Sequence, residues 1–254
     1  MRLILMKIII SPAKKMINEC NYIQDMTTPI FLDKTKQLLN QLQQLSYEDL
    51  KKLLACNDEI ATLNYQRFQN MQLDANLNPA LLSYDGIQYK YMAPDVFEDS
   101  YYPYINQHLR ILSGFYGILK PLDGIVPYRL EMQAKLKTNF CKNLYDYWKE
   151  DIYKELTKDT KIILNLASDE YSKCISKYLT PDIQFINFTF AENVNGKLKE
   201  KGVYVKMARG EMVRYMAENQ IENLEQIKQF NRLGFTYSSE LSTNTHYVFI
   251  KGDN

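Results

Sequence analysis

The sequence predicts a mixed α/β fold, in which a central mixed sheet is flanked by helices within one compact domain. Apolar β-type runs such as LILMKIII (3–10) and KIILNLA (161–167) alternate with segments of helical spacing, and hairpin patterns occur late in the chain. No repeat, low-complexity segment or long linker divides the chain. Because 254 residues with 46% hydrophobic content can bury a sizeable core, we expect a single domain over 1–254.

The N-terminal half begins with a strand and continues mainly in helices. The first strand should end at Ser11 because a proline follows, and this leaves Lys14 just beyond the strand. Leucines at helical spacing over residues 33–70 are interrupted by capping residues at Ser46 and Asn57, which predicts three helices. Three further elements are predicted: a short strand in ALLSYDG (80–86), a helix in YINQHLRILSG (104–114) that ends at Gly114, and a helix in NLYDYWKEDIYKEL (143–156).

The second half mixes strands and helices more evenly. A strand in KIILNLA leads to a helix at Ser168, where Asp169 and Glu170 suit the positive end of the helix. The remaining predicted elements are a strand in IQFINFTF (183–190), a turn in NVNGK (193–197), a strand in KGVYVKM (201–207), a helix from about Arg209 to Asn219, a short helix before Phe230, and strands in LGFTYSSEL (233–241) and HYVFIK (246–251).

Composition excludes several classes of protein. The chain has 31 Lys+Arg and 30 Asp+Glu, which excludes a strongly basic nucleic-acid coat and an acidic disordered chain, so a polyanion site must be local. The 4 cysteines are far apart and form no CxxC pair, which indicates neither a zinc ribbon nor a disulfide framework and fits a reducing cytoplasm. LILMKIII is too short to span a membrane. We therefore expect a cytoplasmic protein without a membrane partner.

Common cofactor and catalytic motifs do not occur. The 2 histidines, His108 and His246, are in different segments, and neither has a HExxH partner or a cysteine at metal spacing. GxSxG, GxGxxG and Walker A patterns are missing from the sequence. The sequence therefore predicts no metal site and no cofactor.

Arginine is rare, with 7 arginines among 31 basic residues, and Arg209 stands out among them. At about 100° per residue it shares a helical face with Met212 and Met216, and that face is expected to be buried. A buried guanidinium needs an anionic or carbonyl partner, for which Asp169 and Glu170 are candidates. An internal ion pair and a ligand site both explain this pattern.

NLASDEY (165–171) and LSGFYGILKPLDG (112–124) each have two explanations. The first is either a capped helix or a ligand site, since α/β proteins commonly bind ligands where a strand ends and a helix begins. The second contains a Gly-x-x-Gly turn, which is similar to a helix-hairpin-helix whose turn amides contact a DNA phosphate. A helix end followed by a proline-terminated loop also explains it.

Five segments in this order resemble the YaaA peroxide-stress family, and together they cover essentially the whole chain. They are ISPAK (10–14), HLRILSGFYGILKPLDGIVPYRLEM (108–132), LYDYW (144–148), NLASDEY (165–171) and ARGEMVRYMAEN (208–219). Because MKIIISPAK from Met6 matches the usual start of the family, the resemblance makes Met1–Leu5 an extension. The chain departs from the family at Met207, where a second lysine is common; if that lysine contacts a polyanion, binding here is weaker.

The resemblance implies a cytoplasmic bacterial protein that protects against hydrogen peroxide by limiting intracellular iron, and hence oxidative DNA damage. It also implies a compact single-domain α/β fold with a helix-hairpin-helix element and a positive cleft that binds DNA. The glycine- and proline-rich segment would then be the hairpin, with Arg110, Lys120 and Arg129 around it. The resemblance implies no reaction.

Three hypotheses of function follow. The leading one is binding of duplex or branched DNA, and its candidate residues are Ser11, Lys14, Tyr84, Arg110, Gly114, Tyr116, Gly117, Lys120, Arg129, Ser168, Lys206, Arg209 and Arg214. The alternative is an enzyme that acts on a nucleobase or a nucleotide-like small molecule, with Asp169 or Glu170 as acid or base and Tyr84 or Tyr116 stacking on the base. Iron chelation is the least favoured, because the histidines and cysteines are dispersed.

A final expectation concerns the position of the site. The strands before Ser11 and Ser168 are predicted to be parallel neighbours, so that their loops emerge at one edge of the sheet. The helix that begins at Arg209 is predicted to open at the same edge. We therefore expect one concave site surrounded by Ser11, Lys14, Ser168, Asp169, Lys206 and Arg209, with the 114–127 segment along its rim.

Overall fold

A computed structural model describes residues 5–17 and 26–252 and shows a mixed sheet flanked by helices. The strands are β1 (Leu5–Ile10), β2 (Lys15–Met16), β3 (Asn78–Pro79), β4 (Tyr84–Asp85), β5 (Leu109–Ser113), β6 (Gly117–Leu119), β7 (Gly124–Ile125), β8 (Thr160–Leu166), β9 (Gln184–Val194), β10 (Lys197–Lys199), β11 (Phe235–Tyr237) and β12 (His246–Lys251). The helices are α1 (Leu32–Gln43), α2 (Tyr47–Leu54), α3 (Asp58–Gln69), α4 (Ala80–Ser83), α5 (Ile87–Met92), α6 (Tyr101–His108), α7 (Leu144–Trp148), α8 (Asp151–Leu156), α9 (Asp169–Ser176), α10 (Gly202–Glu218) and α11 (Leu224–Ile227), with 3₁₀ turns at Pro94–Val96 and Arg232–Gly234. Of the expected N-terminal extension, residues 1–4 lie outside the described residues, and Leu5 begins β1.

The main sheet has a parallel centre and antiparallel edges. Its order is β11-β12-β9-β8-β1-β5-β6, and β10 pairs with the end of β9. Strands β12, β9, β8, β1 and β5 are parallel, whereas β11, β6 and β10 pair antiparallel with their neighbours. Ile10 at the end of β1 is in register with Leu166 at the end of β8. The prediction that these two strands are parallel neighbours is therefore confirmed.

The predicted helices over residues 33–70 are also confirmed, and two of them begin at the predicted caps. The Ser46 side chain accepts a hydrogen bond from the Asp49 amide at the start of α2. The Asn57 side chain does the same for the Ile60 amide at the start of α3. These bonds satisfy amides that have no partner within the helix, so the caps fix where both helices begin.

Three predicted boundaries in the middle of the chain are wrong. ALLSYDG forms the short helix α4 before the two-residue strand β4, which pairs with β2. The helix in YINQHLRILSG ends at His108, because the following apolar residues form β5 beside β1 in the buried sheet. The predicted helix over 143–156 is two helices, since Lys149 between them has a positive φ of 46°.

The predicted strand KGVYVKM is also wrong, because it forms the first turns of α10. Its alternation of apolar residues is too short to distinguish a strand from a helix. The longer helical spacing of buried residues, from Val205 through Ala208 and Met212 to Met216, decides the structure. Arg209 therefore lies in the middle of a helix and not at its start.

The segment around Gly114 is a β-hairpin, with β5 and β6 on either side of the turn. A helix-hairpin-helix needs a helix on each side, so that expected element is not confirmed. Gly114 allows close approach, because a Cβ there would lie 2.4 Å from the Leu130 carbonyl oxygen. Gly117 has a φ of +76° and packs on the Trp148 ring. The glycines thus serve a tight turn and close packing.

His108 should make stability depend on pH. Its Nδ1 lies 2.8 Å from the Met6 carbonyl oxygen, and its buried ring stacks on Tyr104. Burial lowers the pKa of His108 below its ordinary value of 6.5. Below pH 6.5 the unfolded chain therefore binds more protons at His108 than the folded protein does. The free energy of unfolding should decrease as the pH is lowered, by up to about 1.4 kcal/mol per pH unit.

Urea unfolding between pH 5 and 8 measures this dependence. His108→Gln keeps an amide donor for the Met6 carbonyl but does not titrate, so it should flatten the slope. His246→Gln, at an exposed position, is the control. An equal slope for His108→Gln and the unchanged protein would contradict the assignment.

Candidate functional site

A cavity of about 410 Å³ opens where β1 and β8 end, between the loops that follow them, helix α5, the segment 128–131 and helix α10. It is lined by Ser11, Pro12, Ala13, Lys14, Lys15, Asp85, Gly86, Ile87, Gln88, Tyr89, Tyr128, Arg129, Leu130, Glu131, Ser168, Glu170, Tyr171, Lys206 and Arg209. Ser11, Lys14, Ser168, Lys206 and Arg209, which the sequence predicted at one concave site, are brought together here. The 114–127 segment does not line the cavity; the residues that directly follow it do.

Hydrogen bonds connect the two strand ends at the cavity. Ser11 Oγ accepts a bond of 2.9 Å from the Ser168 amide and lies 3.2 Å from Ser168 Oγ. The Tyr89 hydroxyl donates to the Ser11 carbonyl oxygen at 3.0 Å. Ser168 therefore stands at the N-cap of α9 without capping it, since its side chain accepts no bond from the helix. The predicted side-chain cap is wrong because Ser168 Oγ contacts Ser11.

Two of the predicted basic residues share one carboxylate. Glu131 Oε1 lies 3.1 Å from Lys14 Nζ and 3.0 Å from an Arg129 terminal nitrogen. The Glu131 side chain is 10% exposed and that of Lys14 is 63% exposed. Arg129 Nε is buried and has no hydrogen-bond partner. Arg129 is therefore charge-balanced at one edge of its guanidinium and unsatisfied at Nε.

Arg209 lacks the internal ion pair that was one of its two explanations from the sequence. Within the described residues, no carboxylate lies at ion-pairing distance, and the buried Nε has no hydrogen-bond partner. Burial lowers the pKa of Arg209, while the more distant charges of Glu200 and Asp169 oppose this effect. Lys206, one turn earlier on α10, is exposed beside it. Arg209 is thus a guanidinium at the cavity whose charge no near carboxylate balances.

The two candidate acid/base residues differ in position. Glu170 lines the cavity, and its Oε1 accepts a bond of 3.2 Å from the Gln133 amide. Burial raises the pKa of Glu170, and the neighbouring Glu131 carboxylate adds to the effect. Asp169 is exposed and does not line the cavity. The predicted acid/base pair is thereby reduced to one residue at the site.

The other predicted binding residues lie away from the cavity lining. Tyr84, Gly114, Tyr116 and Gly117 are buried in the core. Tyr84 and Ser113 both hydrogen-bond to the hydroxyl of Tyr128. Burial raises the pKa of Tyr128 to about 12. Tyr128 lines the cavity together with Tyr89 and Tyr171, and the rings of Tyr84 and Tyr116 pack against the ring of Tyr128.

Three predicted basic residues also lie elsewhere. Arg110 donates to the carbonyl oxygens of Asn106 and Leu109, and Lys120 is exposed outside the cavity. Arg214 pairs with Glu218 at 2.6 Å on the same helix as Arg209. The structure therefore gives Arg110 and Arg214 partners within the protein.

Sequence reasoning missed Gln88 and Glu131. Glu131 belongs to the motif YRLEM, next to Arg129, so its charge was a usable signal. Gln88 follows a turn in an unremarkable segment, and only the packing of α5 against α10 brings it to the cavity. Gln88 is 8% exposed, yet its side-chain Nε2 has no hydrogen-bond partner.

Residues 5–17 and 26–252 contain no group of three or more His, Cys, Asp or Glu side chains that could hold a metal ion. Within the same residues, no helix is long and apolar enough to cross a membrane.

Comparison with known proteins identifies the family. The family model described as peroxide stress protein YaaA matches residues 6–241. The chain belongs to the YaaA family. A UPF0246 protein of Desulfitobacterium hafniense (strain Y51) is 64% identical over 246 residues, covering 97% of this chain and 98% of the relative. UPF0246 proteins of Agathobacter rectalis and Lachnoclostridium phytofermentans are 53% and 52% identical, covering 96% and 98% of this chain and 98% and 97% of the relatives.

YaaA membership confirms the resemblance that the five ordered segments predicted. The family description connects the chain with peroxide stress and mentions no reaction, ligand or partner. Any molecular role must therefore be argued from the cavity itself.

Proposed function

We propose that this YaaA family member acts in the cytoplasm under peroxide stress by binding DNA, with phosphate groups held at the cavity and its basic rim. The observation that carries the proposal is Arg209, a largely desolvated guanidinium at the cavity with no ion pair among the described residues. Leaving a buried donor unsatisfied costs about 1–3 kcal/mol. A phosphate oxygen would satisfy this donor and balance its charge.

The surroundings of the cavity favour a chain of phosphates over an isolated anion. Burial lowers the pKa of Arg209, and Glu200, which follows β10 and precedes α10, lies near enough to Arg209 for its charge to oppose this effect. The β9–β10 hairpin carries the exposed residues Lys197 and Lys199, whereas Lys201 pairs with Glu192 at 2.7 Å. We propose that a strand of DNA that leaves the cavity runs along this hairpin and contacts Lys197 and Lys199.

The size of the cavity restricts which part of DNA enters it. A volume of about 410 Å³ suits a ligand of nucleotide size and is far too small for a double helix. Duplex DNA would contact the rim alone, while an unpaired or terminal nucleotide could enter. We therefore expect branched or frayed DNA to bind more tightly than a blunt duplex.

Salt dependence tests the proposal. Affinity for a branched DNA should fall steeply as salt rises, and Arg209→Ala should weaken binding and lower the salt slope by about 1. Fluorescence anisotropy at several salt concentrations measures both quantities. Arg214→Ala is the matched control, because it removes the same charge from the same helix away from the cavity lining. Binding that ignores salt, or equal losses in the two variants, would contradict the proposal.

A second candidate is an enzyme that acts on a nucleobase or nucleotide, and Glu170 favours it. This carboxyl lines the cavity, and burial raises its pKa, as is common for catalytic acids and bases. Incubation with nucleotides and oligonucleotides, followed by product analysis, tests for turnover. If the protein is an enzyme, Glu170→Gln should abolish product formation and retain ligand binding; product from Glu170→Gln at the normal rate would exclude this role.

We propose that the effect on intracellular iron is indirect and follows from the role at DNA. Support comes from the dispersed histidines and cysteines and from the lack of a suitable side-chain group within residues 5–17 and 26–252. Anaerobic titration with ferrous iron tests this part. Tight stoichiometric binding of ferrous iron would contradict it.

A further inference from the structure

The cavity contains buried donors that no protein group satisfies. Among the described residues, three buried side-chain nitrogens have no hydrogen-bond partner: Gln88 Nε2, Arg129 Nε and Arg209 Nε. All three belong to residues that line this cavity. Folded proteins satisfy nearly all buried polar atoms, so three unsatisfied donors in residues around one space indicate a ligand that presents acceptors. Each nitrogen is covered in the ligand-free protein, so binding requires small side-chain rotations that turn it towards the ligand.

A helix end adds to this preference for an acceptor. The eight-residue helix α9 begins at the cavity, where Ser168 and Glu170 are lining residues. The Ser168 side chain does not cap the helix. The Tyr171 amide bonds to the Ser168 carbonyl oxygen, so the amides of Asp169 and Glu170 and the positive end of the helix dipole are the groups left to an anion. Gln88, which is 8% exposed, supplies the independent buried donor beside them.

The charges favour an anion with more than one negative charge. Two of the three acidic lining residues are paired with basic residues: Glu131 with Lys14 and Arg129, and Asp85 with Lys15 and Lys90. The third, Glu170, accepts a hydrogen bond from the Gln133 amide. Lys206 and Arg209 are the lining cations without an ion pair in the described part of the chain. Two unpaired cations and donors on several sides suit a phosphate monoester, which carries up to two charges, better than the singly charged diester within a strand.

The walls of the cavity indicate what the phosphate is attached to. Pro12, Ile87 and Leu130 supply apolar surface, and Tyr128 and Tyr171 supply aromatic surface. Inorganic phosphate would leave this surface without a partner. A sugar and base would cover it, and base stacking on aromatic side chains is a common source of affinity.

We propose that the cavity binds the phosphate monoester of a nucleotide, either as a free nucleoside monophosphate or as the terminal phosphate of a nucleic-acid strand. The phosphate is held by Gln88 Nε2, Arg129 Nε, Arg209 Nε and the start of α9, and the base lies against the apolar and aromatic walls. The strand-end form rests on the proposed DNA-binding function, and the free form does not.

Calorimetric titration of the full chain distinguishes the two sources. The probes are AMP, GMP, CMP and UMP, the matching nucleosides, inorganic phosphate, and one single-stranded oligonucleotide with either a 5′-phosphate, a 3′-phosphate or hydroxyl ends. We expect at least one monophosphate to bind at least about tenfold more tightly than its nucleoside and than inorganic phosphate, or a terminal phosphate to tighten oligonucleotide binding by a similar factor.

Gln88→Met is the decisive variant, because it preserves side-chain volume and removes the donor. It should remove most of the gain that the phosphate provides, about tenfold or more. Arg209→Lys, which keeps the charge and loses Nε, is the second variant if Gln88→Met folds poorly. Arg214→Ala should leave the gain unchanged.

The outcomes separate this inference from the proposed function. Cavity-dependent binding of hydroxyl-ended DNA, with no gain from any phosphate monoester, would overturn the inference and leave DNA binding intact. Binding of a monophosphate that requires Gln88, without binding of any DNA, would support the site and overturn the proposed function. A gain that survives in both Gln88→Met and Arg209→Lys would also overturn the inference.

Discussion

Trp148→Ala is expected to lower the free energy of unfolding by about 3–5 kcal/mol. Trp148 is fully buried, and its Nε1 donates to the Gly114 carbonyl oxygen at 3.0 Å. Its ring packs on Gly117 and lies 5.7 Å from the ring of Phe31. The substitution therefore leaves a large cavity and also removes the partner of a buried carbonyl.

Urea unfolding followed by circular dichroism measures this loss, because the chain has only 1 tryptophan and its fluorescence disappears with the substitution. Phe140→Ala is the control: Phe140 is 44% exposed, so its removal should cost less than about 1 kcal/mol. Trp148→Phe should fall between the two. A cost for Trp148→Ala no larger than that for Phe140→Ala would contradict the packing described for the β5–β6 turn.

Gly210→Ala is expected to destabilise the protein by about 1–3 kcal/mol and to abolish ligand binding. A Cβ at Gly210 would lie 2.1 Å from the Gln88 carbonyl oxygen and 2.9 Å from the Met92 amide nitrogen. Helices α5 and α10 would then have to separate. Since α5 carries Gln88 and α10 carries Arg209, the two unsatisfied donors would also move apart.

Gly202→Ala in the same helix is the matched control. A Cβ at Gly202 meets nothing within 4 Å, so alanine should be neutral or stabilise α10 by up to about 1 kcal/mol. Thermal and urea unfolding of both variants measure the difference. If Gly210→Ala is as stable as Gly202→Ala, the close contact between α5 and α10 is wrong.

The position of the cavity could be predicted from the sequence because it depends on strands. The apolar runs before Ser11 and Ser168 are strong β signals, and parallel neighbours bring their ends together. Lys206 and Arg209 reached the same edge although KGVYVKM was wrongly predicted as a strand. Packing of α10 against α5, and not the predicted helix start, places them there.

The donors at the cavity were harder to predict because they depend on tertiary contacts. Asp169 and Glu170 were candidate partners for Arg209, yet Glu170 accepts from the Gln133 amide and Asp169 faces solvent. The pairing of Lys14 with Glu131 joins segments that are distant in sequence. Gln88 carries no pattern of its own. Only the folded arrangement shows which of these groups lack a partner.

The unsatisfied donors also affect the free energy of the ligand-free protein. Burial of Gln88 Nε2, Arg129 Nε and Arg209 Nε without hydrogen-bond partners destabilises the ligand-free protein. That loss can be recovered as binding free energy when a ligand supplies acceptors. Burial also raises the pKa of Glu170, the lining carboxyl without an ion pair among the described residues.

A crystal structure of the chain with the tightest-binding nucleoside monophosphate tests the central claim most directly. We predict phosphate oxygens within about 3.2 Å of Gln88 Nε2, Arg129 Nε and Arg209 Nε, with the base against Tyr128 or Tyr171. A nucleotide bound elsewhere, or bound here with its phosphate in solvent and these three nitrogens still without partners, would contradict the account.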